Sequence, residues 1–436
     1  MPSPHNPSSL PAKPSGVYRV VHTADWHLGK LLDDHSREDE HRHFLTFLLE
    51  TIQTQSVDAL LIAGDIFDSA NPPQSAVTLY YNFLSNLFKS SHCTVVIIAG
   101  NHDSPAHLEA PGRVLKTLRT HVIGSLTAAP ADMLIPLPSK EAPQLIVAAV
   151  PFLRDRDLRV GISGQNASEI QKHLVYGIGC RYAEVAEAAI GWHDQGIALL
   201  ATGHLTVLGS TTSESEREIH VGGLGAISAD AFPKEFDYVA LGHLHRPQAA
   251  GHCETVRYSG SPIPLSFGEA NDHKELRVLD FAEGRLSQQA AIPIPRSRCL
   301  TQIRTQRDNL EADLKAYEPA TTELRAWVEI VVEDPLRGDN LHSLVHSLVA
   351  DREFDVIRII PKSKTALPGL TALDPAATED IERLLSNPSH VFARRLLEEE
   401  ALSEEEELAL KTMFEELKNL YSEQLRAEST TATQGI

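Results

Sequence analysis

The 436-residue sequence contains few cysteines and no long apolar segment. The four cysteines, Cys93, Cys180, Cys253 and Cys299, form no close pairs, which argues against a disulfide framework or a zinc ribbon. No apolar run is long enough to span a bilayer, and residues 1–16 are rich in Pro and Ser without the apolar core of a signal peptide. We therefore expect a protein of the reducing cytoplasm, with a disordered extension at residues 1–16.

Basic residues are in deficit. The chain has 39 Lys and Arg against 59 Asp and Glu, a formal net charge of −20. That balance argues against a protein held to nucleic acid by its overall field, but it leaves open a local basic groove or phosphate capture by metal ions. With 42% hydrophobic and 22% charged residues, the composition is typical of a globular protein with two or three domains.

Short apolar runs rich in β-branched residues indicate five buried strands in the first two thirds of the chain. They cover residues 17–21, 59–63, 95–99, 197–202 and 238–241. Apolar residues at helical spacing predict helices between them, including one over residues 37–55 and one over 183–192. Strands that alternate with helices predict an α/β fold with layered sheets flanked by helices.

Polar residues with metal-ligand chemistry follow each of these five runs. The groups are Asp25-Trp26-His27, Gly64-Asp65, Gly100-Asn101-His102-Asp103, Gly203-His204 and Gly242-His243-Leu244-His245. Because ligands bind beyond the carboxyl ends of the strands in an α/β sheet, we expect the groups to meet at one edge of one core. The candidate metal ligands are Asp25, His27, Asp65, Asn101, His204, His243 and His245. Oxygen and imidazole donors without Cys favour Mn, Fe or Zn over Ca or Mg alone.

Such a set of ligands is suited to phosphoryl transfer by two divalent ions about 3.5–4 Å apart. We assign Asp65 as the bridging ligand because it supplies one carboxylate and is central in the order of the groups. Asp65 would share its ions with two ligand sets, Asp25, His27 and His245 on the first and Asn101, His204 and His243 on the second. His102 would protonate the leaving alkoxide or stabilise the transition state, with Asp103 as the residue that orients its ring.

A single Asp-x-His or Gly-His pair has little predictive value, but five groups in order, each after an apolar run, strongly indicate a metal site. Candidate DNA contacts are less specific. Arg37 begins a predicted helix, and Arg154 and Arg156 follow a predicted strand at residues 145–150. Each of these arginines either contacts a DNA phosphate or is an ordinary surface charge.

Ligand-type residues end near Leu276, which places the candidate site in a domain of residues 17–295. Strand-like and helical patterns alternate again over residues 296–362 and predict a small α/β domain. Residues 363–426 form a linker and acidic helices, and residues 427–436 have the composition of a disordered tail. An apolar stripe on the last helix either packs on its own chain or docks into a partner groove. Its residues are Leu408, Met413, Phe414, Leu417, Leu420 and Tyr421.

The five polar groups together resemble the metallophosphoesterase superfamily. Two longer segments resemble, more specifically, the SbcD family of bacterial nuclease subunits: residues 258–267, with the sequence YSGSPIPLSF, and residues 391–396, followed by a Glu-rich helix. The resemblance covers residues 17 to about 421. It implies a Mn-dependent DNA nuclease with two metal ions, which degrades duplex ends in the 3′-to-5′ direction and cuts single strands and hairpins endonucleolytically.

The resemblance also implies partners. Members of this family act with the SbcC ATPase, here expected as a heterotetramer, and dimerise through the nuclease domain. The C-terminal helices would bind the partner's coiled coil through Leu408, Met413, Phe414, Leu417 and Tyr421. The small α/β domain would cap the active site and help to bind DNA.

Alternatives within the same fold class depart from this sequence. A protein phosphatase would have Arg-Gly soon after Gly64-Asp65 and Glu in place of Asp103, and a purple acid phosphatase would have a ligating Tyr near Asp68. A small-molecule or cyclic-nucleotide phosphodiesterase shares all the metal ligands but would not need the domains after Leu276, and it stays the main alternative. A non-catalytic scaffold would have lost ligands or His102, and all of these residues are present.

Overall fold

The computed structural model describes residues 12–158, 167–213, 215–216, 226–334, 340–362, 410 and 412–414. The chain divides into two compact units, Met1–Lys362 and Ser363–Ile436. In the second unit, Met413 and Phe414 of the predicted partner-binding stripe are helical, and Met413 is 57% exposed. Leu408, Leu417 and Tyr421 lie outside the described residues. Part of the predicted N-terminal extension is described, and there Lys13 pairs with Asp58 at 2.7 Å.

The first unit alternates strands and helices along most of its length. The described strands are β1 (Tyr18–Thr23), β2 (Leu31–Leu32), β3 (His35–Ser36), β4 (Ala59–Ala63), β5 (Thr94–Ile98), β6 (Thr120–Ile123), β7 (Leu134–Leu137), β8 (Leu145–Ala148), β9 (Ala198–His204), β10 (Tyr238–Gly242), β11 (Gln248–Ala250), β12 (Cys253–Tyr258), β13 (Glu275–Ala282), β14 (Arg285–Pro293), β15 (Leu300–Gln306), β16 (Ala326–Glu333) and β17 (Phe354–Lys362). The described helices are α1 (Glu38–Thr54), α2 (Gln74–Ser90), α3 (Pro105–Glu109), α4 (Gly112–Thr117), α5 (Asp155–Leu158), α6 (Ala167–His193), α7 (Leu310–Ala316) and α8 (Leu341–Val349). In the described part of the chain, no helix has both the length and the apolar character needed to cross a membrane.

Two six-stranded sheets form the centre of the first unit. Their strand orders are β14-β13-β1-β4-β5-β6 and β11-β12-β10-β9-β8-β7. Each sheet has parallel central strands and an antiparallel edge, and their inner faces share one buried apolar cluster that includes Leu61 and Val96 from the first sheet and Leu200 and Ala240 from the second. Helices α1 and α2 cover the outer face of the first sheet, and α6 covers the outer face of the second. The predicted α/β layering is confirmed.

Helix α6 is longer than the sequence predicts. The expected helix over residues 183–192 is only its C-terminal part. Leu174, Ile178 and Tyr182 continue the buried face at four-residue spacing, but Gly177 and Gly179 interrupt the pattern and lower helix propensity.

The small α/β domain consists of the three-stranded parallel sheet β15-β16-β17 with helices α7 and α8. It packs against the larger part of the first unit through Trp327 and Leu300, which join Leu32 and Phe267 in a buried cluster. The strand and helix pattern over residues 300–360 therefore forms one compact layer with its own core.

His22, on β1, is a buried histidine whose hydrogen bonds require a neutral ring. Its Nε2 donates to the carbonyl oxygen of Leu241 at 3.2 Å, and its Nδ1 accepts from the hydroxyl of Tyr238 at 3.5 Å. Burial is the main cause that lowers the pKa of His22 to about 3.

A neutral buried histidine makes stability depend on pH. The stability that His22 contributes is fully present above its unfolded pKa of about 6.5 and is lost as the pH falls toward its folded pKa. We expect metal-free wild type to lose about 2 kcal/mol more stability between pH 7.5 and pH 5 than His22→Gln does. Denaturant unfolding at both pH values measures this difference. The exposed His92→Gln should behave like wild type, and equal pH dependence in His22→Gln and wild type would contradict the assignment.

Candidate metal centre

The parallel strands bring the five polar groups to one edge of the two sheets. The groups follow β1, β4 and β5 of the first sheet and end or follow β9 and β10 of the second, where Gly242 pairs with His204. Ligand atoms of Asp25, His27 and His245 lie within 4.8 Å of one another, as do those of Asp25, Asp65 and His204.

The two other predicted ligands lie at the same place. Asn101 Oδ1 is 2.9 Å from His204 Nε2, and the rings of His204 and His243 are 5.5 Å apart between centroids. The backbone N–H of His243 also donates to Asp25 Oδ1 at 2.9 Å. The structure therefore brings all seven predicted ligands together.

The donor atoms of this cluster are buried, and some have no protein partner. Asp25 is 0% exposed and His27 is 2% exposed. Asp25 Oδ2 and His27 Nε2 are buried atoms without a hydrogen bond to the described chain. Buried polar atoms are normally satisfied, so unsatisfied carboxylate and imidazole atoms that face one space are the donor set of a cation site. The residues present thus fit the divalent ions that the ligand chemistry implies.

Charge in the cluster also favours a cation. Burial raises the pKa of Asp25 to about 7. Burial alone would lower the pKa of His204, but Asp65 and Asp25 outweigh it and raise that pKa to about 9. Burial opposes the charged form of Asp65 as well, yet His204 and His27 hold its pKa well below the usual range. A divalent ion would replace the protons on His204 and Asp25, so metal binding releases protons.

Hydrogen bonds behind three of the imidazoles orient them. Nδ1 of His204 donates to the carbonyl oxygen of Ala63 at 2.9 Å, and Nδ1 of His27 faces Asp68 Oδ1 at 3.2 Å. Nδ1 of His245 faces Glu269 Oε1 at 3.1 Å. Each bond fixes a tautomer and directs Nε2 toward the cluster, as is usual for metal-ligating histidines.

Sequence reasoning missed the roles of Asp68 and Glu269. Asp68 lies three residues after Asp65, so its position soon after a strand end was a usable signal. Glu269 lies 24 residues after His245, in a turn-rich segment, and no local pattern connects it with the cluster.

His102 lies beside the ligands as predicted. Its backbone N–H donates to Asp65 Oδ1 at 2.9 Å, and its ring is 4.7 Å from that of His27 between centroids. Its Nδ1 donates to the carbonyl oxygen of Asp68 at 2.7 Å. The prediction that Asp103 orients this ring is corrected, because the Asp68 carbonyl oxygen occupies that position.

Asp103 has a different place in the structure. Its buried carboxylate accepts from the backbone N–H groups of Gly100, Ile66 and Phe67 at 2.9–3.2 Å. Asp103 thus ties the loop after β5 to the loop after β4, and both loops carry predicted ligands.

Several ligand residues have backbone conformations that side chains rarely adopt. The φ angles of Asp25, His27, Asp65 and His243 are 53°, 46°, 50° and 100°. Left-handed residues other than glycine are uncommon, and their clustering is typical of functional sites held by the surrounding structure. This feature has no signal in the sequence.

Gly100 leaves the space in which the Asp65 carboxylate lies. A Cβ atom at residue 100 would overlap Asp65 Oδ1 and its backbone nitrogen. We expect Gly100→Ala to displace Asp65 and lower metal-dependent activity at least ~100-fold. Mn²⁺ titration and hydrolysis of a model diester measure the effect. Gly112→Ala is the matched control, since a Cβ there meets nothing within 4 Å. Wild-type metal affinity in Gly100→Ala would show that Asp65 is not constrained in this way.

The structure contradicts the expectation that Arg37 contacts DNA. Arg37 is 1% exposed, its Nε donates to Glu40 Oε1 at 2.8 Å, and its guanidinium lies 5.7 Å from the Trp327 ring centroid. Arg298 pairs with the same Glu40 oxygen and stacks on Trp327 at 4.0 Å. Arg37 therefore belongs to the junction between α1 and the small domain.

The other two arginines lie near α5. Arg154 is half-buried, and its backbone N–H donates to Asp157 Oδ2 at 3.1 Å. The backbone of Arg156 lies within α5, and its side chain is outside the described residues.

Two layered sheets with an Asp, His and Asn cluster at the strand ends define the metallophosphoesterases. The family model described as calcineurin-like phosphoesterase matches residues 18–247. A second model, described as the type 5 capsule protein repressor C-terminal domain, matches residues 296–400.

Three curated relatives are each named as the SbcD component of the nuclease SbcCD. The chain is 36% identical to the Escherichia coli K12 protein over 398 residues, which cover 91% of this chain and 96% of that protein. It is 40% identical to the Rhodobacter capsulatus protein over 293 residues, which cover 64% of this chain and 69% of that protein. It is 32% identical to the Bacillus subtilis protein over 329 residues, which cover 75% of this chain and 82% of that protein. The chain belongs to the SbcD family of nuclease subunits, and the predicted class of hydrolytic enzyme is confirmed.

Proposed function

We propose that the centre binds two divalent metal ions, preferably Mn²⁺, and hydrolyses phosphodiester bonds in DNA. The observation that carries the proposal is the convergence of the seven buried donors, with unsatisfied atoms on Asp25 and His27. Asp25, His27 and His245 would hold the first ion and Asn101, His204 and His243 the second. Asp65 would belong to both sets, since its Oδ2 lies 3.5 Å from His27 Nε2 and 3.3 Å from His204 Nε2.

The chemistry divides between the ions and the chain. When bound, the ions supply Lewis acidity and lower the pKa of coordinated water. The chain holds the ligands in place through Ala63, Asp68 and Glu269 and excludes bulk water by burial. His102 keeps a proton on Nδ1 through the Asp68 carbonyl oxygen, so its Nε2 is the atom that would deliver a second proton to the leaving alkoxide.

The proposed activity has two modes, 3′-to-5′ degradation of duplex ends and endonucleolytic cutting of single strands and hairpins. The relatives are named as components of the nuclease SbcCD, which supports a DNA substrate and an SbcC ATPase partner for this chain. We further propose that Arg154 and Arg156 contact DNA and that the domain of residues 296–362 caps the active site. A chromosomal substrate is consistent with action in the cytoplasm.

The proposed assembly is a heterotetramer with the SbcC ATPase, in which this chain also dimerises through its nuclease domain. Partner binding would use the C-terminal stripe of Leu408, Met413, Phe414, Leu417 and Tyr421. The exposure of Met413 supports that role, because an apolar side chain in solvent gains from burial against a partner.

The test is Mn²⁺-dependent release of nucleotides from end-labelled duplex DNA, with bis-p-nitrophenyl phosphate as a model diester. We expect the protein, alone or with its ATPase partner, to degrade the DNA, and EDTA to stop the reaction. Cleavage of the model diester without any cleavage of DNA, even with the partner, would favour the small-molecule phosphodiesterase. Cleavage of neither would contradict both functions.

A further inference from the structure

A buried charged network lies behind His245, on the side of the ring away from the other ligands. Glu269 is 0% exposed, and its two oxygens have different partners. Oε1 faces His245 Nδ1 at 3.1 Å, and Oε2 lies 2.6 Å from Lys274 Nζ. Lys274 is 6% exposed, so both charges of this ion pair are inside the protein. A buried charge pair is costly to desolvate and is weak support for stability alone, which invites a functional explanation.

The same network holds the main chain of His245. Lys274 Nζ donates to the carbonyl oxygen of His245 at 2.9 Å, and the backbone N–H of Ser261 donates to it at 3.1 Å. At Gly260, whose φ is +74°, a Cβ would lie 2.7 Å from that carbonyl oxygen. The segment Tyr258–Phe267, which carries the most specific sequence resemblance, thus contacts the backbone of a predicted metal ligand.

The hydrogen-bond directions in the network determine the state of the His245 ring. Ser215 Oγ lies 2.6 Å from His245 Nδ1 and also bonds Glu269 Oε1. A carboxylate only accepts, so the Ser215 hydroxyl donates to Glu269, and the Nδ1–H of His245 donates toward both oxygens. Nε2 then carries the lone pair, on the side of the ring that faces Asp25 and His27.

We infer that Glu269, with its charge balanced by Lys274, is a positioning residue that sets the tautomer and orientation of His245 for metal binding. This inference rests on the proposed two-metal function. It assigns a role to the turn-rich segment between β12 and β13, which places Ser261, Glu269 and Lys274 around one histidine.

The test is calorimetric titration of the full-length protein with Mn²⁺, together with the Mn²⁺ electron paramagnetic resonance spectrum. For wild type we expect two bound ions and a spin-coupled spectrum. In Glu269→Gln we expect about 10–100-fold weaker binding of one ion, unchanged binding of the other, and a shift to an uncoupled spectrum at limiting Mn²⁺. The matched control is Glu275→Gln on β13, whose carboxylate pairs with Arg277 at 3.1 Å and should not affect metal binding.

The possible outcomes separate this inference from the proposed function. Wild type that binds no Mn²⁺ contradicts the two-metal function itself. Wild type with two ions and Glu269→Gln with the same two affinities overturns the positioning role alone. If Glu269→Gln fails to fold because Lys274 is left unpaired, the double variant Glu269→Gln/Lys274→Met removes both buried charges. The same 10–100-fold loss is expected there, and wild-type affinity would overturn the inference.

Discussion

Asp65→Asn is expected to lower kcat/KM at least ~1,000-fold for both DNA and bis-p-nitrophenyl phosphate. Asp65 is 1% exposed, and its Oδ2 lies 3.5 Å from His27 Nε2 and 3.3 Å from His204 Nε2. Its carboxylate therefore faces imidazoles of both proposed ligand sets. An amide has the same shape but no negative charge, so it cannot balance two cations held close together.

Three measurements distinguish loss of the metal centre from loss of the fold. Mn²⁺ titration should show fewer than two bound ions in Asp65→Asn, whereas circular dichroism and thermal unfolding in EDTA should show a folded protein. Asp132→Asn, at an exposed position, is the matched control and should keep both ions and full activity. Two ions bound to Asp65→Asn, with turnover within tenfold of wild type, would rule out a bridging role.

His102→Ala should separate chemistry from metal binding. We expect kcat for DNA to fall by about 10²–10⁴-fold while two Mn²⁺ ions remain bound. His102 Nδ1 is occupied by the carbonyl oxygen of Asp68, so the ring is oriented by the protein independently of a metal. A general acid matters most for a poor leaving group, so bis-p-nitrophenyl phosphate should lose much less activity than DNA.

The comparison of the two substrates is the critical result for His102. An equal loss on DNA and on the model diester, together with loss of one ion, would make His102 a metal ligand instead. His107→Ala, on α3 at an exposed position five residues further on, is the control and should keep wild-type kcat on both substrates.

The ligand set was predictable because its signals are local. Each group follows a short apolar run, and parallel strands such as β1, β4 and β5 end at the same edge of a sheet. The predicted strands are within about two residues of the observed strands for the same reason, since alternation and glycine breaks are visible in short windows.

Other parts of the site depend on contacts between distant residues. Arg37 is buried because Arg298 and Trp327, more than 250 residues later, fold over Glu40. Glu269 reaches His245 only through the path of the chain between β12 and β13. The carboxylate of Asp103 binds three backbone N–H groups and not the neighbouring ring. Periodicity and spacing carry no information about such contacts.

The most direct test of the central claim is anomalous diffraction at the Mn edge from crystals grown with Mn²⁺. We predict two anomalous peaks about 3.5–4 Å apart, with the Asp65 carboxylate between them. The first peak should contact Asp25, His27 and His245, and the second Asn101, His204 and His243. No peak at this cluster, or a single peak that Asp65 does not contact, would contradict a two-metal centre.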